Sequence, residues 1–419
     1  MKKYLLLLMI PLLSASCEFQ SFEDYEFPEY DGAFKWTQLS KHAEWPKRYG
    51  HAAVSYDNRI WIFGGYNPGL VKGDTYLEDV WSSADGVKWD LVLDTAPWLG
   101  RRGHRVTVFD DGAGEAMFLI GGFTVNEETG FREYANDVWK STNGKEWTNL
   151  KERTYPELDA TDDWFPRFNH ALLSAKHGGI DYLYLIGGAS MLEDHSARYA
   201  MKYFNDVWRS VDGINWEKLN NNDFGIRSEA GATVDPATGR IFIQGGVHGV
   251  NIQTDDNQSH PSEDWHWLWS TVDGTNWIPE NDTAIFDQDL LWRSDHQLVF
   301  YNNSLWGLPG KTTSNVHYHF TSSNQYPIWN RVNEDIWQVD SYGCDIDPRH
   351  GYASVILDNK IFILGGFTSS YGQSNDVWTG EINYEEDYEE GIFVSISFVH
   401  ISEWTGTRRK IKISVLNLT

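Results

Sequence analysis

The chain of 419 residues has little that could hold it together covalently: two cysteines, Cys17 and Cys344. A disulfide framework is excluded, so stability has to come from a large core. Basic charge is also scarce. Lys and Arg number 34 against 60 Asp and Glu, a net charge of -26. Nucleic-acid backbones are bound through a basic footprint, and no nucleic-acid partner is expected here. Long apolar runs are missing too. The run Tyr4–Leu13 is too short to span a bilayer, and no other segment approaches the ~20 residues of a spanning helix. What the chain has in excess is aromatic: 21 Trp, 21 Tyr and 21 Phe within a 41% hydrophobic composition. That composition suits pleated, half-buried β faces. Length alone would suggest two or three domains.

An internal repeat overrides that estimate. YLEDVWSSADGVKW (residues 76–89) sets two tryptophans eight apart around an Asp-Gly step. YANDVWKSTNGKEW from Tyr134, YFNDVWRSVDGINW from Tyr203 and WSTVDGTNW from Trp269 repeat it, and Trp329 and Trp337 keep the spacing without the turn residues. Upstream of the first copy, RYGHAAVSYDNRIWIFGGY carries an Arg, a His three later, an apolar run, a two-residue break, a second run and Gly64-Gly65. The frame returns at Arg101 with Gly121-Gly122 and at Arg167 with Gly187-Gly188. Arg227 begins a fourth copy with Gly245-Gly246, where Ala230 replaces the His. Arg293 begins a fifth with Pro309-Gly310, and Arg349 a sixth with Gly365-Gly366.

Each copy predicts four strands: the run after Arg, the run ending at the glycines, the Asp-Val-Trp strand, and a strand carrying the last Trp. The Asp-Gly or Asn-Gly step predicts a primed hairpin turn, with the two tryptophans on neighbouring strands. One such sheet cannot bury its own face, whereas copies arranged radially bury every face. The pattern resembles the kelch repeat, and six copies imply an all-β, six-bladed kelch β-propeller with four-stranded antiparallel blades over residues 34–383. The last copy has Glu386 where its second Trp is due. The resemblance therefore implies that an N-terminal strand around Trp36 closes the final blade. The Ser/Thr-x-Asp/Asn-Gly-x-x-Trp step is similar to the sialidase Asp-box but one residue shorter, so sialidase activity is not inferred.

The ends carry separate expectations. Lys2 and Lys3, the run Tyr4–Leu13 and Ser14-Ala15-Ser16 form an export signal, residues 1–17. Cys17 after small residues resembles the lipobox of bacterial lipoproteins. The resemblance implies acylation at Cys17 and a membrane-anchored, exported protein, on the outer membrane at its periplasmic or surface face. Residues 18–33, acidic and aromatic, form a tether. Residues 384–419 form a C-terminal extension in which a β-hairpin is expected around Thr405-Gly406-Thr407.

Arg48, Arg101, Arg167, Arg227, Arg293 and Arg349 are the candidate ligand-binding residues, expected around the channel mouth. Converging guanidiniums suit a carboxylate. The alternative is that they clasp loop carbonyls or an acid of the adjacent blade. His51, His104, His170 and His296 occupy equivalent positions too far apart for one ion, and no metal or cofactor is expected. His195 and His317–His319 have no recognised ligand spacing. Tyr66, Phe123 and Phe367, after the glycine pairs, offer either stacking surfaces or loop anchors. Variable loops at residues 189–202, 247–263 and 311–326 are the other places for specificity. The expected function is a monomeric binding module for a protein or a glycan, an acidic glycan if the arginines serve it. The alternatives are an enzyme resembling sialate epimerases and, more remotely, a copper oxidase in which Cys344 would take part. No catalytic residue can be singled out.

Overall fold

The computed structural model describes residues 24–26, 34–69, 75–125, 130–158, 160–193, 199–219, 224–247, 268–280, 293–312, 328–333, 336–341, 346–347, 349–368, 370–382 and 412–414. The chain divides into two compact units. The smaller combines Met1–Ala33 with Asn383–Thr419. In it Asp24–Glu26 pairs antiparallel with Lys412–Ser414, Glu26 standing opposite Lys412. Cys17, most of the tether and the turn at Thr405-Gly406-Thr407 lie outside the described residues.

The larger unit, Phe34–Ile382, is all-β. Among the described residues, five of its sheets have four antiparallel strands each. The first blade contains Ala52–Tyr56, Arg59–Asn67, Thr75–Ser83 and Asp90–Leu93. The second contains Arg105–Asp110, Glu115–Ile120, Val138–Ser141 and Thr148–Lys151. The third, fourth and fifth begin at Ala171, Gly231 and Leu298. A further sheet of five strands is built from the last repeat, and the N-terminal strand Phe34–Ser40 pairs there with Gly372–Ile382. Second strands such as Ile60–Phe63 are buried throughout, because a neighbouring sheet covers each of their faces. The core consists of these seams. Phe118, Leu172, Leu185 and Trp208, for example, pack between the second and third blades.

The tight primed turns sit elsewhere than expected. Asp57-Asn58, Asn302-Asn303 and Asp358-Asn359 have positive φ at both residues, and they join the first two strands of their sheets. The Trp-bracketed turn is a longer loop held by side chains. In the first copy the Ser83 hydroxyl accepts from Gly86 N at 2.8 Å, and Asp85 Oδ1 accepts from Val87 N and Lys88 N at 2.8 and 3.0 Å. Only the glycine has positive φ. The second Trp therefore precedes its strand instead of lying on it, and Trp89 Nε1 donates back to the Gly86 carbonyl at 3.1 Å. The glycine is needed for space as well. A Cβ on Gly144 would sit 2.1 Å from the Trp61 ring of the preceding blade.

The third residue of each Arg-x-x-His frame faces the axis. Gly50, Gly103, Asn169, Glu229, Asp295 and Gly351 all have φ between +53° and +65°, except Asn169 at +52°. A chain of backbone hydrogen bonds links them: Gly50 N to Gly351 O, Gly103 N to Gly50 O, Asn169 N to Gly103 O, Glu229 N to Asn169 O and Asp295 N to Glu229 O, at 2.7 to 3.0 Å. Left-handed backbone at three residues with side chains is held by this girdle. The unit is a β-propeller with four-stranded antiparallel blades.

Candidate functional site

Arg48, Arg101, Arg167, Arg227 and Arg349 are buried, not arrayed at the mouth. Arg101 Nη1 and Nη2 donate to Asp137 Oδ1 and Oδ2 at 2.6 and 2.8 Å, Nη1 also to Gly121 O at 2.9 Å, and Nε to Leu99 O at 3.1 Å. Arg48 with Asp79, Arg167 with Asp206 and Arg349 with Asp376 repeat the arrangement. Each Asp is the residue of the Asp-Val-Trp triplet and also accepts from the indole of the same triplet, as Asp137 does from Trp139 at 3.0 Å. Burial opposes the charge on Asp137, Asp206 and Asp376. The paired arginine outweighs it and holds each carboxyl below the usual range. These guanidiniums are clasps, with four of five donors committed inside the protein. Arg227 is buried without such an acid among the described residues. Of Arg293 only the backbone is described, paired with Thr312.

The repeated histidines belong to the same frame. His51, His104 and His170 are buried, and burial first, then neighbouring arginine charge, depresses their pKa, His51 to about 3. Each ring lies against the glycine pairs. A Cβ on Gly121 would meet His170 Cε1 at 2.8 Å, and one on Gly122 would meet His104 Cβ at 2.8 Å. No cluster of three His, Cys, Asp or Glu able to hold a metal occurs among the described residues. His195, His317–His319 and Cys344 lie outside them.

The mouth is lined by residues that differ from copy to copy. The second position of the frame pairs with the residue after each glycine pair: Tyr49 with Tyr66, Arg102 with Phe123, Phe168 with Ala189, Ser294 with Lys311, His350 with Phe367. One side of the mouth is aromatic. Tyr49, Tyr66, Tyr76, Phe123, Tyr134 and Phe168 make a continuous series of ring contacts with centroids 4.9 to 5.7 Å apart. Tyr66, Phe123 and Phe367 belong to this wall. Arg102 lies over Tyr49, Tyr66 and Phe123 at 5.4, 4.9 and 4.6 Å and donates to the Tyr49 hydroxyl at 2.7 Å. No described carboxylate pairs with it.

The other side is polar. Lys311 Nζ stands 3.2 Å from Asp295 Oδ2 and 3.4 Å from Glu229 Oε2. His350 Nδ1 lies 3.0 Å from Asp295 Oδ2, and Asn169 Nδ2 donates to Glu229 Oε1 at 3.2 Å. Burial opposes the Asp295 charge, but Lys311 and His350 hold its pKa far below the ordinary range. Burial likewise opposes the Lys311 charge, and Asp295 and Glu229 raise its pKa. Arg105 adds a third cation. It stands at the position held by Ala52, Ala171, Gly231, Gln297 and Ala353 in the other copies. Burial lowers its pKa and Asp295 and Glu229 oppose that, while its charge reaches His51, His104 and His170. A side chain felt by five groups on different blades sits near the axis.

Sequence reasoning passed over Arg102, Arg105, Glu229, Asp295, Lys311 and His350. Their signal was departure from the repeat: each interrupts a column that is aromatic, small or Gly in other copies. Around the mouth the strands after the glycines continue upward as two-stranded arms. Phe123–Val125 pairs with Arg132–Tyr134, and Ala189–Glu193 with Tyr199–Tyr203. Residues 248–267 and 313–327, which hold most of the other two variable loops, lie outside the described residues.

Residues 47–82 and 348–378 match the Kelch motif. The β-propeller thus carries the Kelch motif in its first and last copies. A solved structure, "Structure of YjhT", is similar to the propeller with a TM-score of 0.56 and 14% identity, over 81% of this chain and 96% of the other. That likeness concerns the fold alone. The Drosophila melanogaster "Leucine-zipper-like transcriptional regulator 1 homolog" is 22% identical over 371 residues. The match covers 84% of this chain and a third (33%) of that relative's length. Variable positions on a rigid scaffold are where a site would differ from copy to copy.

Proposed function

We propose that the axial mouth binds a glycan bearing a carboxylate. The carrying observation is Arg102, a cation without a described acid partner, held over an aromatic wall by Tyr49, Tyr66 and Phe123. An aromatic wall takes the apolar face of a sugar ring, and Glu229, Asp295 and Asn169 offer acceptors and donors for hydroxyls. Arg102, Arg105 and Lys311 together carry three positive charges against the two of Glu229 and Asp295, which leaves one for a ligand anion. Binding of the purified protein to an array of neutral and acidic glycans tests this. Selective retention of carboxylated sugars is expected. Capture of none of them while a peptide display yields binders would make the mouth a protein site.

The second reading is an enzyme acting on such a sugar, resembling sialate epimerases. The His350–Asp295 pair at 3.0 Å, beside Glu229, is an acid–base arrangement within the same mouth. Exchange between N-acetylneuraminate anomers, followed by NMR, separates it from binding alone. A rate equal to the buffer rate removes the enzyme reading.

The chain is further proposed to be a six-bladed ring whose five-stranded sheet is the final blade, closed by Phe34–Ser40. The register Trp36 with Gly380 and Gln38 with Trp378 supports this, as does Gly366 N donating to Arg48 O at 3.0 Å, the same link that Gly65 N makes to Arg101 O. Deleting residues 18–40 should expose an edge and cause aggregation; a parent-like melt would refute closure. Export and lipidation at Cys17 remain part of the proposal. Cys17→Ala should move the protein from the membrane pellet to the soluble fraction.

A further inference from the structure

We propose that Arg132, on the arm of the second blade, forms an outer subsite for the carboxylate of a second acidic sugar, so that the preferred ligand is an oligosaccharide with carboxylates on successive units. This step rests on the reading that the axial mouth takes a carboxylated glycan. Strand alternation sets the direction of the side chain. In the strand Arg132–Tyr134, Glu133 turns to Arg153, its Oε2 2.6 Å from Arg153 Nη1. Arg132 and Tyr134 therefore share the other face, where the Tyr134 ring stacks on Phe123 at 5.6 Å as part of the aromatic wall. Arg132 lies opposite Val125, two residues beyond the Phe123–Tyr134 pair, which is about 7 Å further along the arm by the rise of a strand.

Two arginines thus serve one wall at two heights. Arg102 lies 4.6 Å from the Phe123 ring, and Arg132 stands one strand pair further out. Burial raises the Tyr134 hydroxyl above its ordinary pKa, and the charges of Arg132 and Arg102 both oppose that shift. Arg132 is exposed, and its Nη1 donates to Met191 Sδ of the neighbouring arm at 3.4 Å. A thioether is a weak acceptor on a flexible side chain, and a carboxylate is a far stronger partner for the same donor. Arg132 also departs from its column, which holds Asp74, Met201 and Tyr371 in other copies. The net charge of -26 does not draw a polyanion to the protein as a whole. With a screening length of about 8 Å, however, a bound chain meets mainly the guanidiniums beside it. Once the first sugar is seated in the mouth, the second carboxylate reaches Arg132 as a tethered group at high effective concentration.

The experiment uses the full chain and calorimetry. The probes are galacturonic acid and N-acetylneuraminic acid, each as the single sugar and as its two-unit oligomer. For the sugar that binds, the two-unit form should bind about tenfold tighter than the single one, the effect of one added charge-assisted contact. A two-unit probe whose second carboxylate is methyl-esterified should bind like the single sugar. Arg132→Ala should bring the ratio of the two affinities to about one, and Arg132→Lys, which keeps the charge, should restore part of it. Arg102→Ala should weaken both probes alike and keep the ratio. Equal affinities in the parent, a ratio kept by the ester, or a ratio kept by Arg132→Ala overturns the outer subsite. The mouth reading then still stands on single-sugar binding that Arg102→Ala weakens. Binding of neither sugar in either form removes both readings.

Discussion

Two sets of basic residues share this propeller and behave in opposite ways. Arg48, Arg101, Arg167 and Arg349 recur at the same step of the repeat, are buried, and are neutralised bidentately by an aspartate of their own blade. Arg102, Arg105 and Lys311 each occur once in their columns and stand at the axial mouth. Arg101 and Arg102 are adjacent in sequence, yet one is 2% exposed and clasped while the other lies on an aromatic wall. What recurs from blade to blade solves a problem the blades share, the satisfaction of buried backbone carbonyls and a buried charge. What appears once answers to something outside the repeat.

The histidines offer the largest test of that division. His51, His104 and His170 are recurrent and buried, whereas His350 is unique and paired with Asp295. The folded pKa values of His51, His104 and His170 lie below the unfolded value of about 6.5. Stability is therefore full above pH 6.5 and falls as pH drops, because the unfolded chain takes up protons that the folded one refuses. The window runs from about 6.5 down to the folded value, about 3 for His51. By pH 5 the loss is about 2 kcal/mol for His51, and His104 and His170 add to it in the same direction. Chemical denaturation at pH 7 and pH 5 measures it. Equal stabilities would mean that these rings take up protons in the fold as readily as in the unfolded chain.

Breaking one clasp comes next. Arg101→Met leaves Asp137 charged and buried, and should cost about 3–5 kcal/mol. Ligand affinity of the protein that remains folded should be unchanged. A variant that melts like the parent but loses binding would move Arg101 from the structural set to the functional one.

The smallest effect on the fold is expected from Arg102→Ala. Its removal should shift the melting temperature little, since part-buried cation–aromatic contacts contribute about 1 kcal/mol or less. Affinity for a carboxylated glycan should fall about tenfold, a loss of about 1.4 kcal/mol, measured by calorimetry. If melting drops and affinity holds, Arg102 is one more piece of the rim's packing, and the division drawn between the two sets fails.

The architecture was legible because repetition makes a weak signal strong. The Arg-x-x-His frame, the glycine pairs and the Asp-Val-Trp triplets recur often enough to mark strands, and the register follows from them. The clasp partners were also in view: the Asp of each triplet is as regular as the Arg it binds. Its role was hidden because the two are separated by 27 to 39 residues, and only the strand pairing brings them together. The Trp-bracketed turn was misjudged for a related reason. An Asp-Gly step suits a primed turn, but Ser83 and Asp85 side chains cap the loop instead and tolerate a longer path.

By itself the sequence determined that repeated four-stranded sheets form and where glycine is obligatory, since periodicity and backbone sterics are local properties. It also set the chemistry available at the axis. Only the tertiary structure decided which charges meet. Closing sheets around an axis brings Arg105, Glu229, Asp295, Lys311 and His350 from four copies to one mouth, and it buries Arg101 while leaving Arg102 at the rim. Charge pairing depends on distance and burial, and both come from packing between segments that are far apart along the chain.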